Sequence, residues 1–111
     1  METTAPLKVE NELNTAINKY NNLSKVTIED IARFHLEFKK IHPFQDGNGR
    51  IGRFIFLKQL VENKLPLKYM SGETINEYKK ALAESRESKI DPLIKYIRKQ
   101  KDFIEENKSL F

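Results

Sequence analysis

The stretch His42-Pro43-Phe44-Gln45-Asp46-Gly47-Asn48-Gly49-Arg50-Ile51-Gly52-Arg53 decides how this chain is read. Pro43 restricts the residue before it, so a helix arriving from upstream stops near Ile41 or His42. Gly47 and Gly49 let the backbone turn tightly. Beyond them Ile51, Phe54, Ile55, Phe56, Leu57, Leu60 and Val61 cover well over half of a helix's circumference. Such a helix is expected to be central, with neighbours on several sides. The stretch is a polar loop between apolar helices, a common way for a scaffold to hold a site.

Upstream of the loop, Thr27 can cap a helix, with Glu29 and Asp30 in its first turn and Thr27-x-x-Asp30 forming a weak capping box. Ile28, Ile31, Ala32, His35, Phe38 and Ile41 then share one side. His35 lies on that apolar stripe and reads as a hydrogen-bonded core histidine. Further upstream, Val9, Leu13, Ala16, Ile17 and Tyr20 predict a helix over about residues 7–20, closed by Asn21-Asn22. Residues 1–6 are expected to be frayed or extended. Downstream, Asn63-Lys64 closes the helix after the loop, Leu65-Pro66-Leu67 connects, and Ser71-Gly72 turns. Ile75, Tyr78, Ala81 and Leu82 predict a helix over about residues 73–85. Asp91 as cap with Pro92 in the first turn starts a last helix, from which Leu93, Ile94, Ile97 and Ile104 face inward. The Tyr and Phe residues at helical spacing read as core, and the tail 108–111 as loose. No segment alternates like a strand and no repeat is visible, so the fold class expected is all-α, a compact helical bundle.

At 111 residues the chain predicts a single domain over 1–111. A chain of this size hides roughly two-thirds of its surface on folding, enough for one core. With no cysteine there is no disulfide framework and no thiolate metal site. No H-E-x-x-H spacing offers a metalloprotease centre. The net charge of +4 is spread over faces where Lys and Arg alternate with Glu and Asp. That pattern reads as solvated helix surface rather than a nucleic-acid groove. No leader and no long apolar run is present, so neither membrane nor nucleic acid is expected as a partner. A cytoplasmic, bacterial-type protein fits best.

The loop itself brings together groups with complementary chemistry. Glycine-spaced N–H groups at a helix start favour an anion. Arg50 and Arg53, three residues apart, share a flank beside that end and suit more than one phosphate. Asp46 is a lone carboxylate of the sort that holds Mg²⁺ beside phosphates. His42 carries a ring that is mostly neutral near pH 7 and able to accept a proton from a hydroxyl. Phe44, alternating with polar neighbours, is expected to anchor the loop in the core. Together these predict Mg-nucleotide binding beside a general base, with transfer of a phosphorus-centred group to a hydroxyl. The alternative is a polar interhelix turn with an anion site and no chemistry. The Walker A spacing is absent.

From His42 to Arg53 the sequence matches every fixed position of the pattern H-x-F-x-[D/E]-G-N-G-R-x-x-R, and on it the chain resembles the Fic (Fic/Doc) family. The lead-in His35-x-x-Phe38-x-x-Ile41 and the later Tyr78-x-x-Ala81-Leu82 resemble the family's flanking helices. The resemblance implies a Fic-like bundle over about residues 7–105, with the motif loop ahead of the central helix. It implies a protein adenylyltransferase that moves AMP from ATP to a Ser, Thr or Tyr hydroxyl of a target protein. His42 would be the base, Asp46 the Mg²⁺ ligand, and Gly47, Asn48 and Gly49 the anion hole. Arg50 would grip the β-phosphate and Arg53 the γ-phosphate. Transfer of phosphocholine or UMP, removal of AMP, or an inactive binding module are the alternatives the resemblance leaves open. The family's upstream hairpin flap is expected to be missing or shortened here. Many Fic proteins also carry [S/T]-x-x-x-E-[G/N], whose Glu pairs with the second motif arginine. Asp102-Phe103-Ile104-Glu105-Glu106-Asn107 resembles it with Asp in the first place, which makes Glu106 a candidate inhibitory residue. An antitoxin-like partner protein is the other source of such inhibition.

Overall fold

A computed structural model describes residues 4–43, 47–70 and 72–102. Within them lie a 3-10 turn at Pro6–Lys8 and the helices α1 (Val9–Asn21), α2 (Ile28–Ile41), α3 (Asn48–Glu62), α4 (Ile75–Glu84) and α5 (Asp91–Lys99). A second 3-10 turn at Gly72–Thr74 leads into α4. The described residues contain no strand, only isolated bridges of Lys68 with Asp102 and Arg86 with Lys89. The fold is all-α, as the sequence predicts. Ile104, Glu106 and the tail 108–111 lie outside the described residues, as do Phe44 and Asp46.

Helix α2 begins as its sequence dictates. Thr27 accepts the Asp30 backbone N–H on its hydroxyl at 3.3 Å and donates its own N–H to the Asp30 carboxylate at 2.9 Å. This reciprocal capping box satisfies donors that the helix itself cannot. The stripe Ile31, Ala32, His35, Leu36, Phe38 and Ile41 is buried. It packs against α1, α3 and α5. Ile31, Ala32, Phe56, Leu60, Leu93 and Ile97 are the least exposed apolar residues of the joined core. Each large apolar side chain so buried contributes about 1.5–3 kcal/mol.

His35 sits in this core and is what the sequence suggested. Its Nε2 lies 2.6 Å from the Tyr78 hydroxyl, and its ring meets Phe56 and Tyr78 at centroid distances of 5.7 Å. Burial, aided by the Lys39 charge, lowers its pKa from 6.5 to about 3. It is therefore neutral at ordinary pH and ties α2 to α4. Gly52 makes the neighbouring helix contact possible. A methyl at Gly52 would stand 3.3 Å from Phe38 Cδ1 and 3.6 Å from His35 Cε1, so α3 approaches α2 through a position with no side chain.

Some expectations are revised. Of the residues expected to be frayed or extended, Ala5 is extended (φ −59°, ψ 140°) but Thr4 is tied down: its N–H donates to the Lys40 carbonyl at 2.9 Å, and its hydroxyl bonds Glu12. Helix α3 does not bury all of its apolar positions. Phe56 and Leu60 are in the core, but Phe54 and Val61, seven residues apart, remain 68% and 61% exposed. Apolar coverage of a helix says how much it can bury, not what is there to cover it. Asp91 is not the cap of α5. It is the first helical residue, and the oxygen serving the helix start is Ser85 Oγ, which accepts the Leu93 N–H at 3.0 Å.

The remaining joints are tied by polar contacts. At the end of α3, Leu65 N–H reaches the Leu60 carbonyl and Lys64 N–H the Val61 carbonyl, with Lys64 in the left-handed region at φ 55°. This is a Schellman stop with lysine where glycine or asparagine is usual. The Asn63 side-chain amide donates to the Tyr20 hydroxyl at 3.1 Å, fastening that end of α3 to α1. Lys68 Nζ donates to the Gln100 carbonyl, holding the connector against the segment after α5.

Candidate functional site

Two helix ends build the site. Ile41 closes α2, and His42 follows it with φ 53° and ψ 58°. A left-handed backbone at a residue with a side chain costs about 1–2 kcal/mol and is over-represented at working sites. Pro43 helps to end α2 here, because the residue before a proline is kept out of the right-handed helical region. On the far side of the loop Gly47 adopts φ 75°, a conformation suited to glycine, and precedes the first residue of α3. Gly47, the N-cap residue of α3, has no side chain with which to cap it. Its internal bonding starts with Ile51 N–H to the Gly47 carbonyl at 3.0 Å. The turn ahead of that bond has the geometry in which N–H groups point along the helix axis towards an anion.

His42 and Asn48 meet across the loop. The Asn48 side chain is buried, and its Nδ2 lies 3.2 Å from His42 Nε2. An amide N–H donating there assigns the lone pair to Nε2 and the ring proton to Nδ1. The imidazole itself stays exposed. Arg53 folds back over Gly49: a methyl at Gly49 would stand 3.2 Å from Arg53 Nη1. Arg50 is exposed on the same flank, three residues before the half-buried Arg53. Arg53 also borders a cavity of about 170 Å³ lined by Met70, Gly72, Ile75, Tyr78 and Tyr96. Burial raises the Tyr78 phenol well above its ordinary pKa, with the Arg53 charge pulling the other way.

His42, Asn48, Gly49, Arg50 and Arg53 are thus gathered where α2 ends and α3 begins, with Gly47 at the turn. Phe44 and Asp46 of the same motif, and Glu106, lie outside the described residues. Among the described residues no three His, Asp or Glu side chains converge to hold a metal. Sequence reasoning missed Gly52 and the His42–Asn48 contact. A glycine inside an otherwise apolar helix is a usable signal of close packing. The His–Asn contact spans a loop, which helical spacing does not reveal.

The chain matches the Fic/DOC family model over residues 1–60. It is 36% identical over 99 residues to a probable protein adenylyltransferase of Aquifex aeolicus, an alignment covering 86% of this chain and 30% of that protein. To a protein adenylyltransferase of Caenorhabditis elegans it is 28% identical over 101 residues, covering 88% of this chain and 20% of that one. This chain therefore spans under a third of the length of these relatives. The crystal structure of a Fic domain containing signalling protein from Bacteroides thetaiotaomicron superposes with a TM-score of 0.75 at 24% identity, over 85% of this chain and 42% of that one. That superposition speaks for the fold, and the family match covers the motif loop and most of α3. On that family match the chain belongs to the Fic/DOC family.

Proposed function

We propose that this chain is a protein adenylyltransferase unit that moves AMP from ATP to a Ser, Thr or Tyr hydroxyl of a target protein. The observation that carries the reading is the pairing of an exposed imidazole, its Nε2 lone pair turned to Asn48, with Arg53 folded over Gly49 at the start of α3. In this reading His42 Nε2 exchanges the Asn48 amide for a target hydroxyl and takes its proton. The freed oxygen bonds to the α-phosphorus, the bond from that phosphorus to the bridging oxygen breaks, and pyrophosphate departs. Gly47, Asn48 and Gly49 cradle the phosphates, Arg50 holds the β-phosphate, and Arg53 the γ-phosphate.

Asp46 stands directly before this cradle in the sequence. One carboxylate beside phosphates suits Mg²⁺, which completes its shell with phosphate oxygens and water. When bound, the ion neutralises phosphate charge. The protein's own contribution is orientation and a base in the right tautomer. The names carried by the Aquifex and Caenorhabditis relatives support the same reaction.

The test is incubation with a lysate and ATP labelled at either the α- or the γ-phosphate, using the protein and its His42→Ala form. Protein-bound α label that depends on His42 is expected. Label from γ instead means phosphate transfer, and no label from either means a binding module.

A further inference from the structure

The stretch ahead of α1 reaches the end of α2, the same helix end that carries His42. Pro6 keeps Ala5 extended and opens the 3-10 turn, which the Lys8 N–H closes on the Ala5 carbonyl at 2.9 Å. Thr4 therefore sits on a short, stiff arm, and it is held twice. Its hydroxyl donates to the Glu12 carboxylate on α1, and its backbone N–H donates to the Lys40 carbonyl on α2 at 2.9 Å. The last carbonyls of a helix find no partner inside it. At the end of α2 the Phe38 carbonyl takes the His42 N–H at 3.0 Å, and the Lys40 carbonyl takes Thr4. The peptide that Thr4 holds joins Lys40 to Ile41, in the last turn before His42. The His42 ring is exposed on a left-handed backbone and meets Asn48 from the α3 side. The ring is thus steadied from α3, and the backbone beneath it from the end of α2.

We propose that Thr4 is a positioning residue for His42. Its N–H, kept in place by the bond from its hydroxyl to Glu12, fixes the Lys40–Ile41 peptide and with it the direction in which His42 presents Nε2 to a hydroxyl. This rests on the reading of His42 as a base, and it adds that the base is aimed from α1, by residues outside the motif. Releasing the latch slackens that aim and leaves the phosphate cradle at the start of α3 untouched.

The chain has two histidines, so the imidazole signals in a proton–carbon NMR spectrum of the whole chain report the loop through His42 and the core through His35. Thr4→Val keeps the shape and the N–H and removes the hydroxyl. It is expected to move the His42 signal and leave that of His35 in place. Transfer of the α-phosphate label at saturating ATP is expected to fall about tenfold with the KM for ATP unchanged, because misplacement of a catalytic group lowers the rate of the chemical step. Thr4→Ser restores both the signal and the rate. Glu12→Ala releases the same latch from α1 and stands in if Thr4→Val does not fold; the double variant is expected to be no worse than either single one. A His42 signal that stays in place, or variants that match an active wild type in rate, overturn the proposal. Both histidine signals moving together, or a raised KM with kcat unchanged, mean a structural role and overturn it as well. A wild-type chain that transfers no label overturns the reading of His42 as a base, and the His42 signal alone then decides whether Thr4 positions it.

Discussion

The α2–α3 junction and the α4–α5 junction solve the same problem in opposite ways. Between α4 and α5 the polar groups are spent on the protein itself. Arg86 and Lys89 exchange backbone hydrogen bonds, the Arg86 guanidinium covers the Ala83 and Ser85 carbonyls, and Ser85 Oγ serves the start of α5. Between α2 and α3 the backbone takes left-handed turns at His42 and Gly47, the N-cap of α3 is a glycine with no side chain to offer, and an arginine pair is left without a carboxylate partner among the described residues. The first junction is built to be stable. The second holds strain and unspent charge, the signature of a place meant to receive something else.

The contrast is sharpest at His42. His42→Ala is expected to lower AMP transfer about 10²–10⁴-fold, the range for loss of a general base, with little change in melting temperature. His42→Gly should lose the same activity yet gain about 1 kcal/mol in denaturant unfolding, because glycine relieves the left-handed strain. A destabilised His42→Gly protein would show that the two junctions are equally relaxed.

The core that joins the two ends is probed by acid. His35 titrates near 6.5 unfolded and near 3 folded, so the unfolded state binds more protons between those values. Stability then falls as pH drops through that window, by about 1.4 kcal/mol per pH unit from this group. Chemical denaturation across that range should show the slope, and His35→Gln should flatten it. At the self-satisfied junction, Ser85→Ala should cost about 1 kcal/mol in unfolding free energy while transfer activity persists. The smallest effect is expected at Gly49. Gly49→Ala should shift Arg53 by a few tenths of an ångström and weaken tripolyphosphate binding about threefold, read by calorimetry, with the melting temperature nearly unchanged.

Much of this was legible from residues alone. The helix stop before Pro43, the Thr27–Asp30 capping box and the core role of His35 all follow from local rules. So does the gathering of His42, Asn48, Arg50 and Arg53, because a short loop cannot carry its two ends far apart. What escaped depended on contacts between distant segments. Asp91 looked like a cap because Asp before Pro is a good one, but Ser85 approaches from just past the end of α4. Phe54 and Val61 looked buried because their helix is apolar on most sides, while no described residue covers them.

The bare Cα of Gly52 sets a tolerance for the whole site. It lies a single turn past the loop, at the point where α3 rests on Phe38 and His35. The separation of the two helix axes there fixes how far the imidazole stands from the cradle that would hold a phosphorus atom. In-line attack loses rate steeply over about an ångström of misplacement. One added methyl, remote from every reacting atom, would therefore detune the reaction while leaving all of its chemical groups in place.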